Sequence, residues 1–490
     1  MDERQPLLDP PHERHGRDHS NGKDHFVDFD PEGDQDNPLE WSKRYRWFIV
    51  LLLAFMAMTV TFTCIGIVPV AGAVVKDLEG HRDKSASVLL VTIWELGEAA
   101  GPLFIAPLSE IFGRWPTYNA ANALFVVGIL ISVFSQSIDL LIFSRFLTGC
   151  AVATNVLNPA IVGDMFPSEN RGSAMAAMML APLIGGAMGP TVAGGLAQAT
   201  GWREVLWLAI GLAGVCELAF ILFFRETYKP TILRRRAARL RRETGDDGYK
   251  TAFDREGTDS STMTVLKAMA RPAKVIYSSS LLQILSIWGA LVFAMFYVFS
   301  TSLPDMLQDL YDFSPALTGV SFLTFSAGSI CGIAICNFVS DWLYIKLEKK
   351  HGGRSYPEGR LPLSILGAFF TPLVMFLYGW SADRHWPVWV LLVSVVFVGL
   401  VVVTSIVPMM TYITDAFGLY SASALTAVLI LRCLAGSFLP LAMPPLTNLV
   451  GIGWGFSIIA ATLLATAPIP ALVMRYGPRW RQRSNYTMEP

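Results

Sequence analysis

Twelve apolar stretches divide this chain. They run near 47–75, 86–108, 117–135, 139–163, 172–197, 203–224, 274–301, 315–344, 362–380, 387–412, 419–446 and 451–474. Each is long enough to cross a bilayer, which takes roughly 20 apolar residues in a helix. Every backbone polar group must be paired within lipid, so the spans are expected as helices. The short alternating strands of an outer-membrane barrel are absent from the sequence. Hydrophobic residues make up 53% of the 490 and charged residues only 16%. That balance excludes a soluble enzyme, a disordered scaffold and a secreted disulfide-rich protein. The expected fold is an all-α integral membrane bundle of twelve transmembrane helices.

Basic residues near the span ends set the orientation. With the N-terminus inside, the outer loops hold Lys76, Arg82, Lys84, Arg203 and Arg384. The inner flanks hold several times as many, among them Lys43, Arg44, Arg46, Arg114, Arg171, the middle loop, Lys346 to Arg360, and Arg475 to Arg483. Both termini are therefore expected in the cytosol, with no cleavable signal peptide. Residues 1–46 read as a disordered acidic tail, with twelve acidic and four basic side chains in the first forty. Four histidines (His12, His15, His19, His25) lie there at irregular spacing, which does not describe a metal site. Glu3 with Leu7-Leu8 fits an acidic dileucine sorting signal. The Asn485-Tyr486-Thr487 sequon falls in the expected cytosolic tail, 477–490, where it stays bare. All six cysteines fall inside spans with no CxxC pair and read as small apolar fillers.

Six spans occupy 47–224 and six occupy 274–476, with a basic linker at 225–273. The linker's LRRRAARLRRETGD reads either as an amphipathic helix on the anionic inner leaflet or as a solvated connector. The halves echo one another. Glu110 and Asp341 end spans two and eight, and Asp164 and Asp415 end spans four and ten. Two six-span halves related by a parallel repeat are the plan of a rocking transporter. Acids at helix C-termini stand against the helix dipole, so Arg114, Arg171 and Lys346 are expected as their partners. These groups read as ion-pair latches of an inner gate.

Four ionisable residues lie deep in spans: Glu95, Glu98, Arg145 and Arg432. Each must face a cavity or a partner. Glu95 and Glu98 share a helix face. Counted from the outer end they lie roughly 13 Å and roughly 18 Å deep, with Arg145 roughly 10 Å deep. An acid of span two is thus expected to pair with Arg145 of span four, and Glu98, the deeper acid, to carry a proton. Glu217 in span six is a weaker candidate. Arg432 reads as an anion holder or as a tie between helices. Phe62, Trp94, Asn155, Asn158, Trp288, Phe296, Tyr297, Met409 and Tyr412 suit a cavity for a mostly apolar ligand with a few polar handles. In span five, Gly185 and Gly189 give a small-residue face and Pro190 a kink, with Gly194 following. No phosphate-binding GxxxxGK[ST], HExxH or GxSxG pattern occurs, so neither ATP through a P-loop nor hydrolytic chemistry is expected, and an ion gradient remains as the power source.

The motifs resemble those of the major facilitator superfamily, and within it the fungal twelve-span drug:proton antiporters. Asn37-Pro38-Leu39-Glu40-Trp41 is similar to that group's segment before span one. The run from Gly101-Pro102 to Gly113-Arg114 resembles its loop between spans two and three, with Glu110 in place of the usual Asp and no basic residue at Ile111 or Trp115. Arg145-Phe146-Leu147-Thr148-Gly149 resembles the span-four motif whose Arg is implicated in proton coupling. Gly185 to Gly194 resembles the antiporter motif GxxxGPxxGG, with Ala193 where Gly is usual. Phe224 to Tyr228, Asp415 to Gly418 and Gly451 to Gly455 are also similar to this group.

The resemblance implies a two-half facilitator fold over about residues 37–478 and export of small apolar compounds against protons by alternating access. Proton coupling would fall to Glu95, Glu98 and Arg145, an inner gate to Glu110, Gly113, Arg114, Asp164, Arg171, Asp341 and Asp415, and a seal to Gly185, Gly189, Pro190 and Gly194. The expected partners are a small molecule, protons and the bilayer, with no nucleic acid and no cofactor, in a monomer at the plasma membrane or the vacuolar membrane. A polyamine exporter, a nutrient symporter or facilitator, and a sensor on a transporter fold are the rival readings; a membrane enzyme is not expected.

Overall fold

The computed structural model describes residues 25–253, 261–340, 342–344, 346, 357–482 and 487. Eleven helices among them are long and apolar enough to cross a membrane. Span one is Lys43–Gly66 continued by Ala71–Glu79, span two Lys84–Ile111, span three Arg114–Phe134, span five Ser168–Thr200 and span six Trp202–Phe223. In the second half, span seven is Ser280–Tyr311, span eight Pro315–Ile335, span nine Pro362–Asp383 and span ten Val388–Phe417. Span eleven is Ser421–Phe438 with Met443–Val450, and span twelve Ile452–Thr466 with Ile469–Arg481. The expected span four is realised as two shorter helices, Ile138–Cys150 and Thr154–Met165. The first stops where the Ala151 N–H folds back on the carbonyls of Leu147 and Thr148, and the Val152 N–H on that of Gly149. Polar caps start several spans: Ser42, Asp83, Ser137, Ser279 and Ser314 each accept a bond from a backbone N–H of the first turn.

Within the first half, span one lies along span five, and span two along the first part of span four. In the second, span eight lies along span ten, and span nine along spans ten and twelve. The halves meet chiefly where span five packs on span eight and span two on span eleven. We call the end of the bundle that carries residues 25–42, the linker and Arg481 the basic end, and the other the far end.

Residues 25–41, expected within a disordered tail, are folded onto the linker. His25–Phe26 pairs in parallel with Tyr249–Lys250. The linker helix Lys229–Thr244 buries Leu233 and Ala237. Asp28 pairs with Lys229 at 2.9 Å, and Asp34 with Arg236. Burial pushes the Asp34 carboxyl up, but bonds from the Asp36 N–H, Arg236 and the Asp30 N–H outweigh it and hold it below the usual 3.8. The linker is therefore a helix strapped by an acidic segment. Charge pairing within the chain, which neither reading of the linker anticipated, explains the order. His12, His15, His19, the dileucine pattern and Asn485 lie outside the described residues.

Candidate functional site

The acid pair of span two sits at the seam between the halves. Glu95 and Glu98 are both buried. The Tyr297 hydroxyl of span seven donates to Glu95 Oε1 at 2.6 Å. Arg432 of span eleven places Nη2 3.5 Å from Glu98 Oε1. Just beyond, Ser437 Oγ of span eleven donates to the Thr92 carbonyl of span two at 3.1 Å. Both acids are thus held by the opposite half. One ligand atom each of Glu95, Glu98 and Cys433 lie within 4.8 Å of one another. Arg432 supplies one positive charge and Tyr297 a neutral hydroxyl, so the two carboxyls are balanced without a further cation only when one of them carries a proton.

Arg145 corrects the sequence reading. It is buried, but it pairs with neither acid. Nη1 donates to the Thr63 carbonyl at 2.9 Å, Nη2 to the Cys64 carbonyl at 2.7 Å and Nε to the Leu90 carbonyl at 3.5 Å. Its guanidinium lies over the Trp94 ring, 4.5 Å from the centroid. The cause is the interruption of span one. A helix that stops at Gly66, just before Pro69, leaves its last carbonyls without intrahelical donors. A cation at a helix C-terminus is favoured, so Arg145 caps span one.

The expected cavity residues divide. Trp94 is fully buried between Arg145 and Phe125. Asn158 accepts from the Tyr118 hydroxyl at 2.9 Å and donates to the Leu53 carbonyl at 3.2 Å, tying spans one, three and four. The Asn155 side chain lies outside the description. Trp288, Met409 and Tyr412 are buried in a core shared by spans seven, ten and eleven, and Phe62 is buried in span one. Phe296 and Arg432 keep some exposed surface. Phe296 lies 5.0 Å from both Tyr297 and Phe325, and Arg432 is 4.3 Å above Phe293. Glu217 is half-buried, and its Oε2 finds no hydrogen-bond partner.

The span-five motif lies against both halves. Any side chain at Gly185 or Gly189 would press on the backbone of Met58 or Phe62 in span one. Gly194 abuts the Pro315 carbonyl of span eight, and the Pro190 carbonyl abuts Gly319. Small residues at these positions let backbones touch across the seam.

At the basic end, Arg114 gathers the expected gate. Its Nε is 3.3 Å from Asp164 Oδ2, Nη1 donates to Ser109 Oγ at 2.5 Å, and the guanidinium covers the Tyr228 ring at 4.6 Å. Gly113, at φ +106°, leaves room for Glu226, which accepts from the Arg114 N–H at 2.8 Å and caps span three. Glu110 is exposed. Arg171 reaches the carbonyls of Gly163 and Phe166, and no acid pairs with it among the described residues. Asp415 pairs with Arg360 at 3.2 Å. Asp341 lies outside the described residues. Each of these pairs stays within one half.

The sequence reading missed the far-end ion pairs. Arg82 pairs with Asp305 at 3.6 Å and Asp309 at 2.5 Å, and Lys84 with Asp309 at 3.4 Å. Gln308 Nε2 donates to the Pro69 carbonyl at 2.9 Å. These contacts join the start of span two and the turn in span one to the end of span seven. The available signal was an i, i+4 pair of acids at the outer end of span seven facing two outer-loop cations. All six cysteines are free, but two are more than filler: Cys433 stands beside the acids, and Cys64 Sγ lies 3.8 Å from the Tyr297 hydroxyl.

A profile of the Major Facilitator Superfamily matches residues 47–440. The chain belongs to this superfamily. It is a multi-pass membrane transporter and not an enzyme. Its relatives include the MFS transporter cpaT of Aspergillus oryzae, 32% identical over 94% of this chain and 92% of that one. The efflux pump radE of Floropilus chiversii is 31% identical over 95% of this chain and 86% of its own. The MFS-type transporter atr4 of Stereocaulon alpinum is 35% identical over 94% and 83%. Among solved structures, a D-xylose–proton symporter superposes with a TM-score of 0.66 over 88% of this chain and 97% of its own, at 15% identity. That likeness establishes the facilitator fold.

Proposed function

We propose that this transporter exports small, largely apolar organic compounds, such as secondary metabolites or xenobiotics, in exchange for protons by alternating access. The observation that carries the reading is the acid pair of one half held by Tyr297 and Arg432 of the other. A carboxylate that takes up a proton loses its attraction for the guanidinium. Protonation of Glu98 therefore weakens a bond between the halves, and proton loading becomes a change in how they adhere. Glu95 and Glu98 carry the proton, and Arg145 positions span one beside them. The basic end lies in the cytosol, as the Lys and Arg distribution asks, in the plasma membrane. Export as the direction is supported by the span-five motif and by relatives such as the efflux pump radE. A polyamine cargo is less well served, because Arg432 already neutralises Glu98 and leaves Glu95 as the one acid of the pair without a cation.

The test uses sealed vesicles of the purified protein with an imposed pH gradient and a panel of labelled apolar compounds. Gradient-dependent uptake that a protonophore or Glu98→Gln abolishes is the expected result. Uptake indifferent to both makes the protein a facilitator and removes Glu98 from the coupling role.

A further inference from the structure

Two arginines approach the seam in the middle of the bundle, and they differ in what remains free. Arg145 is 1% exposed, with its donors on three carbonyls and its face on Trp94. Arg432 keeps 24% of its side chain exposed. Its single described ion-pair contact, to Glu98, is 3.5 Å long, well beyond the roughly 2.7–2.9 Å of a tight charge-assisted bond. Its Nε is buried and has no hydrogen-bond partner. One face of the guanidinium lies on Phe293, and Phe296 and Phe325 continue the aromatic wall.

A planar cation backed by a ring, with donors to spare, stacks flat π-systems and gives forked bonds to oxygen acceptors. It repels another cation. We propose that Arg432 is the specificity-determining residue of the cargo site, selecting planar compounds that present acceptor oxygens, such as carbonyl, lactone or phenol groups, and rejecting organic cations. Glu98 is the group that holds the guanidinium at this wall. Protonating Glu98 releases that hold, so the cargo's anchor loosens in the proton-loaded state, the sign that exchange of cargo for protons requires. The inference rests on the export reading for its direction, but the selectivity can be measured without transport.

The experiment measures equilibrium binding to the purified full-length protein in nanodiscs with no pH gradient. The probes are 7-hydroxycoumarin and a coumarin of matched size bearing a trimethylammonium group. Wild type is expected to bind the hydroxycoumarin at least tenfold tighter than the cation. Arg432→Gln should weaken the hydroxycoumarin at least tenfold and strengthen the cation, because Glu98 then loses its guanidinium partner. Arg432→Lys should fall between, keeping charge but losing the fork. If Arg432→Gln does not fold, the charge-balanced Arg432→Gln/Glu98→Gln pair replaces it, with loss of hydroxycoumarin binding and no gain for the cation. Equal binding of both probes by wild type, no binding of the hydroxycoumarin, or hydroxycoumarin binding indifferent to these substitutions overturns the proposal. Intact selectivity in a protein that ignores the proton gradient counts against proton coupling alone.

Discussion

The two ends of the bundle use the same kinds of charge for different purposes. At the far end, Arg82 and Lys84 of the first half pair with Asp305 and Asp309 of the second. At the basic end, the described pairs Arg114–Asp164, Arg360–Asp415 and Arg481–Glu358 each stay inside one half. Far-end pairs hold the halves together, whereas basic-end pairs brace each half by itself. The described contacts therefore close the seam at the far end. The gate expected from the acids at the inner span ends is, in this state, a set of internal braces. A latch that must release needs weak, exposed pairs, while a brace can be buried; the cations follow that division, Arg82 and Lys84 being more exposed than Arg114, Arg360 and Arg481.

Four measurements can break or sharpen this contrast. The largest effect belongs to Arg114→Ala, which strands the part-buried Asp164 and removes the bond to Ser109. Breaking a buried pair typically costs about 3 kcal/mol. A clear loss of thermal stability is expected, with no change in a far-end distance between spin labels on the two halves; a change there would mean that the brace also crosses. Next comes Gly194→Val, whose side chain would collide with the Pro315 carbonyl. Overpacking of this kind costs roughly 1–3 kcal/mol, and here the strain should push the far ends of spans five and eight apart. An unchanged label distance would show that the contact is not part of the closure.

Asp309→Lys puts like charges opposite Arg82 and Lys84. Exposed pairs contribute about 0.2–1 kcal/mol each, so a shift of a few-fold toward a far-end-open population is expected, with partial restoration by Lys84→Glu. Failure of the reversed pair to restore the distance would remove the latch. The smallest effect concerns the acidic strap. The Asp34 carboxyl has a folded value below 3.8, so its contribution is complete above that value and fades as pH falls through the lower folded one. Proteolytic clipping near residue 30 should accelerate only in that acidic window, and Asp34→Asn should flatten the profile; clipping insensitive to pH would detach Asp34 from the strap.

The positions of the spans were legible because a bilayer imposes one length on any helix that crosses it. What happens inside a span was less so. The break after Cys150 depends on local backbone bonding that hydropathy does not register. Depth counting placed Arg145 level with the acids, but depth does not say which way a side chain faces. Arg145 went to carbonyls freed by the interruption of span one, and Arg432, 334 residues along the chain from Glu98, came from the other half to the acid. Tyr297 was named as a cavity residue from its aromatic neighbours, and its bond to Glu95 emerged only with the packing of span seven on span two. Cys433 carried no motif at all.

The acidic strap also sets a tether length. Residues through Lys250 are fastened to the first half by the linker helix and the pairing with His25–Phe26, and the helix Ser261–Ser278 packs on spans two and eleven. Thr251 is buried and Arg234 Nη2 donates to the Phe253 carbonyl at 3.0 Å, so the fastened segment runs to Phe253, and the eight residue steps from there to Ser261 reach no further than about 29 Å. That covalent reach bounds how far the helix Ser261–Ser278, and whatever it packs on, can travel from the strap.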